Sequence, residues 1–150
     1  MKSFQRFIAA GSRTFTLLTQ TTITTAVSGI TTNGGPVVDL TDIVVATFSA
    51  VFTYGSGGTT AKFWIQTTFD GGVTWVDVAQ FAFATASAKA ISSLKAVTAV
   101  AANYTPTDAT LADNTIKDGL LGDQLRVKYT TTGTYAGGTT IRIDAVTKGA

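Results

Sequence analysis

The chain has 150 residues, 13% of them charged against about 25% in an average soluble domain, and a formal net charge of +2, too small to argue for a nucleic-acid partner. One residue in five is Thr, and there is no His, Cys or Glu, so the only acidic side chains are nine Asp. These absences exclude Ser-His-Asp and Cys-His relays, disulfide frameworks and ordinary zinc sites, leaving acid–base work to Asp, Lys or Tyr.

The length predicts a single domain with a sizeable core. The excess positive charge lies at the N-terminus. Lys2, Arg6 and Arg13 precede the first acid, Asp39, while the rest of the chain carries eight bases against nine Asp. Residues 1–35 read as an extended arm with strand content, whose three bases are placed either to meet an acidic partner surface or to be solvated. The first ten residues begin as a signal peptide does, but the apolar stretch is about four residues long and Arg13 closes it. The uncharged run 14–38 is Thr-rich and contains Pro36, so no bilayer span is expected either. Within it, Thr14–Val27 reads as a strand, as does Pro36–Leu40, because β-branched residues favour the pleated surface.

From Asp42 the dominant period is two. In Asp42–Tyr54, Val44, Ala46, Phe48, Ala50, Phe52 and Tyr54 share an apolar face. Gly55–Gly58 turns the chain; it lacks the Lys-Ser/Thr of a phosphate-binding loop and precedes a strand. Thr60–Phe69 sets Phe63, Ile65 and Phe69 against Lys62, Trp64 and Gln66. After the Asp70-Gly71-Gly72 hairpin signal, Thr74–Phe83 carries Trp75, Ala79, Phe81 and Phe83 in phase. The segment Ala86–Ala102 is ambiguous. Ala90, Ile91, Leu94, Val97 and Ala101 stand near helical spacing, yet Ser and Thr pairs and flanking strands favour a strand or irregular crossing.

Next, Asp108, Asp113, Asp118 and Asp123 recur in a loop-like stretch. An oxygen-rich loop of this kind can hold Ca²⁺, but the spacing does not match an EF-hand, and Asp beside Gly or Asn is ordinary turn chemistry. Turns are therefore the first reading and a calcium site the alternative, with no metal ligand assigned. Gln124–Thr132 and Thr139–Thr147 alternate again, with Leu125, Val127, Tyr129, Ile141, Ile143 and Ala145 on the apolar faces. Turn clusters every 8–15 residues complete an all-β pattern. Residues 36–150 are therefore expected to form one antiparallel β-sandwich, jelly-roll-like, with Phe48, Phe52, Phe63, Trp75, Phe81 and Ile143 in its core.

The sharpest local pattern runs from Thr68 through Asp70, Gly72 and Thr74 to Trp75. It resembles the Asp-box hairpin of sialidase propeller blades, and that resemblance implies a structural role away from catalysis. Asp70 is placed to accept backbone N–H groups across the turn, with Trp75 packed beneath. One copy, no Glu and too short a chain argue against a propeller enzyme. Trp64 and Trp75, with Tyr54, Tyr129 and Tyr135, are candidates for a sugar platform, although strand aromatics more commonly pack in cores and interfaces. Bases and aromatics are not interleaved beyond residue 13, which speaks against single-stranded nucleic acid.

Two longer runs, FWIQTTFDGGVTWVDVAQFAFATA and DNTIKDGLLGDQLRVKYTTTGTYAGGTTIRIDA, resemble small phage virion proteins in which an IQTSxDGGxTWxDVAxFxF segment precedes GDxLRVKYTxTGT. The likeness covers about the C-terminal two thirds; Thr68 replaces Ser and Gln124 a commoner Arg. The resemblance implies a non-enzymatic virion structural protein without catalytic residues or cofactor, assembled in the host cytoplasm. Its first expected role is capsid cement or decoration, bound to the major capsid protein or other virion subunits as a homo-oligomer such as a trimer, with no membrane partner. A head fibre or carbohydrate-binding receptor-facing module, and a neck or tail ring protein, are the alternatives. Low charge suits such a role, since few ions would need desolvating when the faces are covered.

Overall fold

The computed structural model describes residues 11–31, 40 and 42–149. All ten of their elements are strands: β1 (Ser12–Thr22), β2 (Val27–Thr31), β3 (Ile43–Thr53), β4 (Ser56–Gly57), β5 (Thr60–Thr68), β6 (Trp75–Phe83), β7 (Ala88–Lys95), β8 (Gln124–Thr132), β9 (Tyr135–Ala136) and β10 (Thr140–Gly149). The two-residue strands β4 and β9 pair with each other. The other eight form two antiparallel sheets, β1-β10-β3-β7 and β2-β8-β5-β6.

Counting only those eight, the first pairs with the eighth, the second with the seventh, the third with the sixth and the fourth with the fifth. The chain is thus one long hairpin, rolled so that successive strand pairs fall alternately in the two sheets. That is the jelly roll, a double-sheet architecture of two Greek keys. Residues 12–31, read from sequence as part of an arm with strand content, supply an edge strand to each sheet through β1 and β2. Of the strand expected at Pro36–Leu40, only Leu40 is described; it is buried, lies outside any strand and donates its N–H to Asp123 O at 3.1 Å.

The core lies between the sheets. The period-two face of β3 is buried throughout, from Ala46 and Phe48 to Ala50 and Phe52. It meets Phe63 and Ile65 of β5, Phe81 and Phe83 of β6, and Leu125 and Val127 of β8 in one apolar cluster. Phe52 stacks on Phe83 with ring centres 5.0 Å apart, and the Tyr135 ring meets Phe52 edge-on at 6.0 Å. The buried Tyr135 hydroxyl donates to Ala84 O at 3.0 Å, as a phenol in a core requires.

Two details bear on the sequence expectation, the first agreeing with the favoured reading and the second correcting it. Ala86–Ala102 contains the strand β7, paired with β3, so Leu94 faces the core while Ile91 stands 64% exposed on the other face. A helix would have placed these two residues on one side. Trp75, expected in the core, lies outside it. Ile65 pairs with Ala79 but Gln66 pairs with Asp77, so Val78 is an extra residue on β6. This β-bulge reverses the side-chain alternation, and Trp75 joins Asp77 on the outer face.

Candidate interaction surface

The β5–β6 hairpin is built around Thr68 and Asp70. Thr68 Oγ1 donates to Asp70 Oδ1 at 2.9 Å and accepts the Gly72 N–H at 2.9 Å. Asp70 Oδ1 also accepts the N–H groups of Val73 (3.1 Å) and Thr74 (2.7 Å). Gly71 and Gly72 take left-handed φ of 72° and 96°, which side chains rarely adopt. Hydrogen bonds from Thr74 above all, then from Thr68 and Val73, hold the Asp70 carboxyl below its usual range. The Trp75 indole Nε1 donates to Gly72 O at 3.0 Å, closing the turn from beneath. All five hairpin residues singled out in the sequence, Thr68, Asp70, Gly72, Thr74 and Trp75, therefore act within one turn.

The outer face of β5 and β6 is covered. The connection 96–123 holds no paired strand of its own; it runs along the free edge of β6. Asp77 N donates to Thr107 O (3.0 Å), Gln80 N to Thr115 O (2.9 Å) and Lys117 N to Val78 O (2.8 Å). An exposed strand edge is thereby paired within the chain. Beneath the loop lies a buried polar layer. On β5 and at Gln80 it occupies positions that strand alternation assigns to solvent, and at Asp77 a position that the bulge turns outward. Asp77 accepts the N–H groups of Ala109, Thr110 and Leu111 at 2.9–3.1 Å, together with Gln66 Nε2 at 2.8 Å. Gln80 Oε1 accepts Asn114 N at 2.6 Å, and Trp64 Nε1 donates to Leu111 O at 3.0 Å. Trp64 is 6% exposed and so is no sugar platform. Tyr135 is buried, and Tyr54 and Tyr129 are half-buried against the core. The signal for this layer lay in the pairing of a long Asp-rich loop with amide-bearing positions on adjacent strands.

The four regularly spaced aspartates serve the loop separately. Asp108 meets Lys128 Nζ and Gln66 Nε2, each at 2.8 Å, and those two bonds hold its carboxyl below the usual range. Asp113 meets Lys62 at 2.9 Å; Asp118 accepts Thr98 Oγ1 and the Lys95 N–H; Asp123 N donates to Thr68 O. Among the described residues no three acidic side chains gather as a metal-binding group.

Beside the hairpin, Arg126 of β8 lies with its guanidinium carbon 4.3 Å from the Trp75 ring centre. Its Nε donates to Gln66 Oε1 at 2.8 Å. Burial lowers the Arg126 pKa from its ordinary value, an effect that nearby Asp108 and Asp77 oppose. Trp75, Val73, Pro106, Asp108 and Arg126 line an open cleft of about 470 Å³. A second hollow of about 330 Å³, lined by Phe69, Val76, Val100, Tyr104 and Leu120, adjoins it at Pro106. Around both, Phe69 is 54% and Val73 84% exposed.

Of the three bases expected on an arm, Arg13 stands exposed on β1, where its carbonyl accepts Thr147 Oγ1 at 3.4 Å. Lys2 and Arg6 lie outside the described residues. No family model matches the chain, and no curated protein matches it.

Proposed function

We propose that the protein is a non-enzymatic structural subunit of a phage particle, a capsid cement or decoration protein that binds on or between major capsid subunits. The observation that carries this reading is the joint placement of the two virion-like sequence segments. The first spans the β5–β6 hairpin, and the second runs from the approach to β8 through β9 into β10. Strands β6, β5 and β8 lie side by side in one sheet, while β10 belongs to the other. Gly122 makes their junction possible, since a Cβ there would stand 1.9 Å from Thr68 O. Gln66 and Arg126 join the segments again through a side-chain bond. The DGGxTW hairpin and the GDxLRVKYTxTGT strand therefore form one physical unit, a locked hairpin and its neighbour bordered by exposed apolar side chains.

The fold supports the same reading by analogy, because jelly rolls are common in viral capsid proteins, although they also occur in lectins. Burial of Trp64 weighs against a receptor-facing sugar module built on that residue. Low charge and abundant Thr suit faces that neighbouring subunits cover at little desolvation cost. Closed symmetry at shell positions favours a homo-oligomer, with a trimer the simplest fit to three-fold sites.

Quantitative mass spectrometry of purified heads and separated tails tests the assignment. The protein is expected in heads at a fixed, high ratio to the major capsid protein, and heads stripped of it should release their genome at a lower temperature. Recovery with tails alone would contradict a cement role and support a tail-ring one.

A further inference from the structure

We infer that the Trp75–Arg126 cleft and the apolar hollow beside it form one docking groove for an extended peptide segment of a partner protein, a segment that carries an acidic side chain next to a bulky apolar one. Arg126 is the acid-binding group. Its Nε is committed to Gln66, while among the described residues no acceptor meets its two terminal nitrogens. Those nitrogens form the end-on fork that matches a carboxylate in a bidentate pair. The fork is held in advance. Trp75 stacks on the guanidinium, and Gln66 is itself fixed by Asp77 and Asp108, so little side-chain freedom remains to be lost on binding.

Asp108 and Asp77 offset the Arg126 charge through space, but neither carboxylate reaches its terminal nitrogens: Asp77 accepts three backbone N–H groups and Gln66, and Asp108 meets Lys128 at 2.8 Å. An incoming carboxylate therefore supplies the hydrogen-bond acceptor that the fork lacks. The second hollow selects a peptide over a sugar acid. It meets the first at Pro106, and its lining by Phe69, Val100 and Tyr104 offers an apolar surface that a uronic acid cannot fill.

The inference rests on the proposed assembly role only in taking the partner to be a protein. Peptide binding in solution succeeds or fails independently of whether the protein is found on heads.

The test uses N-acetylated peptide amides containing one Asp and one Phe, adjacent or spaced by glycines, with matched peptides carrying Asn for Asp or Gly for Phe. Binding is read from the indole N–H resonances, with buried Trp64 as the internal reference for Trp75. The expected result is a saturable shift of Trp75 alone, with the best Asp–Phe peptide binding at least about tenfold more tightly than its Asn counterpart. Arg126→Lys should remove most of that preference. Because Arg126 also supports Gln66, Val73→Asp provides a second variant at an 84% exposed position, and the added carboxylate should weaken the acidic peptide selectively. Phe69→Ser should abolish the preference for Phe over Gly while leaving that for Asp over Asn. Equal binding of Asp and Asn peptides, or no saturable binding, would overturn the inference. Sodium glucuronate shifting Trp75 at lower concentration than every peptide would overturn it in favour of a sugar-acid site.

Discussion

Replacing Asp77 by Asn isolates the buried polar layer that fixes the 96–123 connection. In the native protein Oδ1 accepts Ala109 N and Gln66 Nε2, and Oδ2 accepts Thr110 N and Leu111 N, all between 2.8 and 3.1 Å. In the Asp77→Asn variant one of those oxygens becomes an NH₂ group. Whichever way the amide turns, two donors then face a donor. A buried donor without an acceptor costs about 1–3 kcal/mol, so two cost about 2–6 kcal/mol. Release of the loop into water sets the ceiling, and the expected loss is about 3 kcal/mol. For a domain of this size each kcal/mol lowers Tm by about 2–4 °C, giving a fall of about 10 °C. Hydrogen exchange should localise the effect: the amides of Ala109, Thr110, Leu111 and Asn114 lose protection while those of β3 and β10 keep theirs. Trp64 emission should move to the red as Leu111 leaves its indole. A Tm within about 2 °C of the native value with unchanged exchange at these amides would refute the claim that Asp77 holds the loop.

Gly122→Ala should lower stability by about 1–3 kcal/mol in urea unfolding, since its Cβ would stand 1.9 Å from Thr68 O and backbone must give way. Phe52→Ala should cost about 3–5 kcal/mol, because Phe52 is 1% exposed between Phe83 and Tyr135. Acid titration followed by circular dichroism should show stability constant between about pH 5 and 8, there being no His, and falling below about pH 4. The sign follows from the carboxyls of Asp70, Asp108, Asp118 and Asp144, all lowered from 3.8 by hydrogen bonds. Their stabilisation is present above the unfolded value and is lost as pH falls through the folded ones; a transition near pH 6 would contradict this.

The sequence made the sandwich legible wherever one strand face was buried and the other was not. The alternation from Ala46 to Phe52 marks the core side of β3 because hydrophobic burial and the two-residue pleat coincide there. It failed on β6, where the extra residue at Val78 shifts Trp75 to the outer face. A one-residue bulge leaves no compositional trace, so period counting carried Trp75 into the core. It failed on the outer side of β5 for another reason. Trp64 and Gln66 alternate as solvent-facing residues do, and only a long-range connection returning over the sheet buries them. At the candidate surface the hairpin was readable, since Thr68, Asp70 and Trp75 interact within a few residues of each other. The role of Arg126 was not, because its partners Gln66 and Trp75 lie on other strands, with Gln66 60 positions away.

The most direct test of the assembly role is a cryo-electron reconstruction of the particle at a resolution that traces strands. The account predicts this jelly roll repeated over the capsid lattice at symmetry-related sites, with the β5–β6 hairpin and the Pro106 loop facing a major capsid subunit. A shell without that density, or the fold found at the neck or tail alone, would contradict it.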